Sequence, residues 1–219
     1  MVDLDRRLHK AQAAETRSQR RRFYEQTFNE NETPLFHNET ATVSLVMMAK
    51  LLIDTISSPI GALLLVADGK SLCALDYADC EQRMRKLLQG RYENIRWQEA
   101  SDPCGFSSTL RAYLDGDVNA IDRIPINPGG TPFQQQVWAA LRTIPSGTVM
   151  TYGDMAAKLG RPAAYRAVGM INALNPIAIV VPCHRLVGAN GALTGYAGGL
   201  ERKHWLLEHE GVEMSKFFL

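Results

Sequence analysis

The chain has 219 residues, 46% of them hydrophobic and 21% charged, with a formal net charge of +1, enough for one large domain or two small ones with real cores. No apolar run approaches the roughly 20 residues needed to span a bilayer, and the opening MVDLDRRLHK lacks the apolar centre of a secretion signal, so a globular, cytoplasmic protein with no membrane partner is expected. The four cysteines, Cys73, Cys80, Cys104 and Cys183, form no C-x-x-C pair and have no histidine at zinc-finger spacing, so neither a metal site nor a disulfide framework is indicated.

Residues 1–44 combine an Arg-rich stretch (Arg17, Arg20, Arg21, Arg22) with a polar run that can bury little, and read as a mobile extension. From Lys50 the texture turns apolar and β-branched. Runs at 51–57, 62–67 and 71–76 are separated by a Ser58-Pro59-Ile60-Gly61 turn and by Asp68-Gly69, a strong hairpin signal. A small antiparallel sheet follows from this pattern. Asp79 is positioned to cap a helix reaching about Gln89, and Ser107 to cap another through Leu110, Tyr113 and Leu114. The Pro- and Gly-bearing stretch 124–130 marks a domain boundary, giving an N-terminal α/β domain over 45–125 and a second domain over 126–219.

The second half opens on Thr131-Pro132-Phe133-Gln134, a capping box with proline at the first helical position, and Phe133, Val137 and Leu141 form its apolar stripe. A short helix from Tyr152 to Leu159, a Gly160-Arg161 turn and a helix from Pro162 to Leu174 have the length pattern of a helix-turn-helix. The second of these begins with the small residues Ala163 and Ala164, which allow close approach to a surface. Asn175-Pro176 stops it. The apolar run 177–181 reads as a buried strand that delivers Pro182-Cys183-His184-Arg185, and a helix from Leu200 to Glu210 is closed by Gly211. Residues 130–219 carry 8 basic and 5 acidic side chains, a +3 balance compatible with a polyanion without identifying one.

A cysteine after an apolar run is most often a small core residue. Here His184 adjoins Cys183, Arg185 adds positive charge, and glycines lie on both sides. A nucleophilic cysteine works as the thiolate, which needs a base or a positive neighbour. Successive strand residues point to opposite faces, so His184 reaches the thiol only if Pro182 turns the backbone or a water bridges the two. Glu210 is the candidate carboxylate to orient the imidazole.

Taken in order, Thr131-Pro-Phe-Gln-Gln-Gln-Val-Trp138, Ile144-Pro-Ser-Gly147, Thr151-Tyr-Gly153, Arg166-Ala-Val-Gly169, Asn175-Pro176, Val181-Pro-Cys-His-Arg185, Gly195-Tyr-Ala-Gly-Gly199 and Trp205-Leu-Leu-Glu-His-Glu-Gly211 resemble the 6-O-alkylguanine-DNA alkyltransferases. The resemblance is strongest from Thr131 to Gly211, weaker from about Leu51, and absent before that. It implies a ribonuclease H-like N-terminal domain, a winged-helix-like C-terminal domain, and irreversible, stoichiometric transfer of an alkyl group from oxygen-6 of guanine in duplex DNA to Cys183. Oxygen-4 of thymine is a second candidate position. It further implies a monomer with no cofactor that binds the minor groove.

By the same resemblance His184 activates Cys183 through a water, Glu210 holds the histidine, and Asn175 braces the turn. Tyr152 crowds the phosphate beside the lesion and donates a proton at the guanine ring. Tyr196, Ala197 and the backbone around Leu186 line the base pocket. Arg166 fills the vacated stack, and Ala163, Ala164, Tyr165 and Gly169 belong to the helix in the groove. The chain departs from the family at Tyr165, where a small residue is usual, and in the bulky segment Met170-Ile-Asn-Ala-Leu174. Tyr165 is expected at the edge of the contact face with its hydroxyl toward a phosphate, or on the face as an obstruction. Two rival classes are a lesion-binding module, which would lack the cysteine, and a Cys-His hydrolase of small substrates, which would turn over.

Overall fold

The computed structural model describes residues 48–217, and the extension read over residues 1–44 lies outside the described residues. Three strands, β1 (Ala49–Ile56), β2 (Leu63–Ala67) and β3 (Leu72–Tyr77), precede helix α1 (Glu81–Gln89), strand β4 (Ile95–Glu99) and helix α2 (Phe106–Leu114). The sheet order is β3-β2-β1-β4. The two hairpins are antiparallel, but β4 returns through α1 to lie parallel to β1, so the expected antiparallel sheet is in fact mixed. A parallel neighbour requires a crossover rather than a turn, and the short, half-exposed IRWQE of β4 carries little strand signal.

The Asp68-Gly69 hairpin is present with a different turn. Only Gly69 has positive φ, and the Asp68 carboxylate closes the loop by accepting the N–H groups of Lys70 and Ser71. Neither predicted cap forms. Asp79 lies in a 3₁₀ turn before α1 and pairs with Arg202 at 2.8 Å. Ser107 is fully buried inside α2 and donates to Asp54 Oδ2 at 2.6 Å, because a buried carboxylate is the stronger acceptor.

The C-terminal part contains α3 (Pro132–Leu141), the two-residue strand β5 (Met150–Thr151), α4 (Tyr152–Lys158), α5 (Tyr165–Ala173), β6 (Leu186–Val187) and α6 (Leu200–His209). The Thr131–Gln134 capping box on α3 is complete. Val137 and Leu141 are buried, while Phe133 lies partly buried beneath the Arg161 guanidinium. The predicted helix from Pro162 is a 3₁₀ turn over Pro162–Ala164 that leads into α5. The short β5 and β6 pair in parallel beside these helices.

The apolar run 177–181 is buried but is not a strand. Only Ile177 bridges β3, with Leu75 N–H donating to Pro176 O and Ala178 N–H to Leu75 O. The stretch around Ile126 pairs with Leu72 on the same edge of β3. Both segments cover an edge that would otherwise expose unpaired backbone groups. One core consequently runs through both halves, from Leu63, Leu65, Leu75 and Tyr113 to Val137, Val168, Ile177 and Val181. The opposite sheet face packs Leu51, Leu64 and Val66 on Met84 and Leu88 of α1.

Candidate active site

Cys183 opens a 3₁₀ turn, Cys183–Arg185, that follows the broken run 177–181. Asn175 holds that run in place. Its Nδ2 donates to Val181 O at 2.8 Å and to Ile177 O at 3.3 Å, and its Oδ1 accepts the Ile177 N–H at 3.0 Å. Within this clasp Ile179 has φ +68°, a left-handed conformation that costs a β-branched residue about 1–3 kcal/mol and persists only where its surroundings impose it. The backbone is therefore fixed immediately before the thiol.

Cys183 is 6% exposed and sits in the wall of a cavity of about 450 Å³ with Tyr152, Gly169, Asn172, Asn175 and Tyr196. Burial pushes its thiol pKa up, while the Asn175 amide and the positive charges of Lys203 and Arg83 oppose that rise. Tyr196 Oη lies 3.0 Å from Tyr77 Oη. Gly198 packs so closely on the Tyr77 and Tyr196 rings that a Cβ there would displace them, so no larger residue fits that corner.

The two residues that follow Cys183 belong to a buried polar cluster. His184 Nε2 is 2.9 Å from Glu210 Oε1, and Glu210 also accepts from Arg185 Nε (2.8 Å), Arg185 Nη2 (2.8 Å) and Tyr113 Oη (2.9 Å). Glu210 follows the last residue of α6 and is closed by Gly211 at φ +86°. Burial works to raise its pKa, yet His184 and Arg185 outweigh it and hold the carboxyl down to about 2. For His184 burial dominates and lowers the imidazole pKa, with Glu210 acting against it. A neutral imidazole held by a carboxylate at Nε2 keeps its other nitrogen, Nδ1, as an acceptor. That Nδ1 is buried and has no hydrogen-bond partner in the protein. Lys203, fully buried, donates to Leu186 O and Thr194 O, and burial lowers its pKa to about 8.

The structure gathers Cys183, Tyr152, Asn175, Tyr196, Ala197 and Gly169 around one cavity, while His184, next to Cys183 in the chain, pairs with Glu210 and neither lines that cavity. Leu186 does not line the cavity; its side chain is in the core and its carbonyl is bound to Lys203. Tyr165 and Arg166 are exposed on α5 with Ala163 just before them, and Ala164 is half-buried. Sequence reasoning passed over Tyr113, Lys203, Asn172, Asp76 and Arg83, which reach the site from distant elements. Asn172 alone had a local signal, as the polar residue inside the bulky 170–174 segment; its Nδ2 donates to Cys183 O. Among the described residues no group of three His, Cys, Asp or Glu is placed to hold a metal ion, and no helix is long and apolar enough to cross a membrane.

Two family models match the chain: the ribonuclease-like domain of 6-O-methylguanine DNA methyltransferase over residues 51–128, and the DNA binding domain of the same family over residues 132–212. The chain is similar to the methylated-DNA–protein-cysteine methyltransferase of Shigella flexneri, 49% identical over 167 residues covering 75% of this chain and 98% of that one. The Mycobacterium tuberculosis protein of that name is 46% identical over 71% of this chain and 90% of its own length. The crystal structure of the M. tuberculosis O6-methylguanine methyltransferase superposes with a TM-score of 0.59 at 40% identity, covering 73% of this chain and 92% of that one. The structure of the M. tuberculosis protein in complex with DNA gives 0.60 at 38% identity, covering 76% and 94%.

Proposed function

The chain belongs to the O6-methylguanine DNA methyltransferase family, and from that premise we propose that Cys183 is the residue that receives the methyl group when this protein binds DNA and repairs O6-methylguanine. The observation that carries the assignment is the cavity itself: one cysteine in its wall, followed in the chain by a carboxylate-bound imidazole whose Nδ1 is buried and unpartnered. His184 Nδ1 takes the thiol proton through one water, and Glu210 fixes the ring and stabilises the imidazolium that forms. The sulfur attacks the methyl carbon in line, the S–C bond forms as the C–O6 bond breaks, and the electron pair leaves on the guanine oxygen. A proton from Tyr152 at the ring completes the leaving group. Burial raises the pKa of both the Tyr152 hydroxyl and the Cys183 thiol, so each proton moves only when the reaction demands it.

The target carbon is inaccessible within a base stack, so the nucleotide is flipped out into the cavity at a cost of about a few kcal/mol. Arg166, exposed on α5 beside the cavity rim residue Gly169, fills the gap, with Ala163, Ala164 and Tyr165 along the minor groove. We take residues 45–125 and 126–219 as the two domains of a cytoplasmic monomer. The thioether product is not displaced by water, so each molecule acts once, on oxygen-6 of guanine and, as a second candidate, oxygen-4 of thymine. With a radiolabelled methylated duplex in excess, transferred label should plateau at one equivalent per protein. Continued release beyond one equivalent would replace this reading with a hydrolase.

A further inference from the structure

The N-terminal half sends two charged side chains to the Cys183 cavity, Asp76 from β3 and Arg83 from α1. Asp76 is 1% exposed; its Oδ1 accepts the Tyr77 N–H at 3.0 Å and its Oδ2 binds Arg83 Nη1 at 2.6 Å. The other arm of the same guanidinium, Nη2, donates to Ala173 O at 2.6 Å and Asn175 O at 3.0 Å. These carbonyls lie at the C-terminal end of α5, where acceptors lack helical partners and a cation is favoured. Arg83 thus grips the backbone of the residue whose side chain clasps Ile177 and Val181, the support of the Cys183 turn. A planar fork can serve a carboxylate and two carbonyls at once; an ammonium cannot reproduce that geometry.

We propose that Asp76 and Arg83 are a positioning pair for alkyl transfer, Arg83 locking the Asn175 turn to the N-terminal sheet and Asp76 orienting Arg83 while presenting a carboxylate to the cavity. The inference rests on the alkyl-transfer reading above. Charged and titratable groups reach Cys183 from several elements, Asp76 and Tyr77 of β3, Arg83 of α1, Tyr152 of α4, Lys203 of α6 and Tyr196, and the next residue in the chain, His184, is tied to Glu210. Among them Asp76 disfavours the thiolate, whereas Arg83 and Lys203 favour it. Removing the two members of the pair therefore moves the reactivity of the thiol in opposite directions, which a loss of packing would not do.

The test is single-turnover transfer from saturating methylated duplex as a function of pH, with the full chain and rates normalised to reactive protein. Arg83→Gln should slow transfer about tenfold through misplacement of the turn and move the acid limb of the profile to higher pH. Arg83→Lys keeps the charge and loses the fork, so it should stay slow with the limb near its original place. Asp76→Asn should move the limb to lower pH. Duplex affinity should change by less than about twofold in all three, because the exposed α5 surface proposed to meet the duplex is unaltered. Normalised rates equal to the parent, or limbs that shift in the same direction in Asp76→Asn and Arg83→Gln, would overturn the proposal. Should Asp76→Asn fail to fold, the two Arg83 variants decide it, since that side chain is partly exposed. A parent protein that transfers no methyl overturns the function reading instead.

Discussion

The two sides of α5 differ in how completely their polar and apolar groups are matched. Toward the interior, Asn172 and Val168 are buried, and His184, Arg185, Glu210 and Tyr113 form a buried cluster joined by hydrogen bonds through Glu210. Toward solvent, Tyr165, Met170 and Leu174 are 46%, 69% and 43% exposed, beside Arg166. The exposed side chains leave that side of the helix free to meet a partner, whereas a buried cluster cross-linked by hydrogen bonds holds one geometry. On the proposed function the chemistry belongs to the buried side and DNA contact to the open one. Substitutions on the two sides should accordingly fail in different ways.

The largest effect is expected inside. Glu210→Gln removes the charge opposite buried Arg185 and should cost about 3–5 kcal/mol of stability, read by denaturant unfolding, together with a slowed transfer rate. The pH dependence sharpens the point. Glu210 has a folded pKa of about 2 against an ordinary 4.5, so its contribution is full above 4.5 and is lost as pH falls toward about 2. His184 is also depressed, below an ordinary 6.5, so the unfolded chain takes up its proton first and stability declines with acidification below about 6.5. Both slopes have one sign. The parent should lose stability steadily on acidification, and Glu210→Gln should flatten the stretch between 4.5 and 2; an unchanged slope there would contradict the cluster's role.

A smaller effect, visible only with DNA, is expected from Arg166. Arg166→Ala should reduce transfer from paired duplex by about tenfold or more while leaving reaction with the free methylated base nearly intact, because the inserted side chain offsets unstacking. Equal losses on both substrates would remove the insertion role. The smallest effect concerns Tyr165, whose ring lies 5.6 Å from the Arg166 guanidinium. With its hydroxyl toward a phosphate, Tyr165→Ala and Tyr165→Phe should each loosen duplex binding slightly, by about two- to fivefold and by similar amounts, since both lose the hydroxyl. Markedly tighter binding by Tyr165→Ala would mean that the ring obstructs docking.

What the sequence made legible was mostly contiguous. The capping box of α3 and the Asn175 stop depend on neighbours a few residues away, and local chemistry specified them. The run 177–181 misled because a buried apolar segment of that length has the same pattern as a strand, while its backbone is decided by the Asn175 side chain and the left-handed Ile179. Ser107 had the chemistry of a cap, but Asp54, distant in sequence, claims its hydroxyl. Tyr113 and Lys203 carry no local mark at all; their polar ends acquire meaning only when α2 and α6 bring them to Glu210 and to the carbonyls of Leu186 and Thr194.

Cys183 is the proposed methyl acceptor, and the most direct measurement of that role is the mass of the peptide that contains it after reaction with an O6-methylguanine duplex. The prediction is a gain of one methyl group on Cys183, with restored guanine in the DNA, no gain on Cys73, Cys80 or Cys104, and no transfer in Cys183→Ala despite retained duplex binding. An unmodified Cys183 in protein that has repaired its duplex would contradict the account.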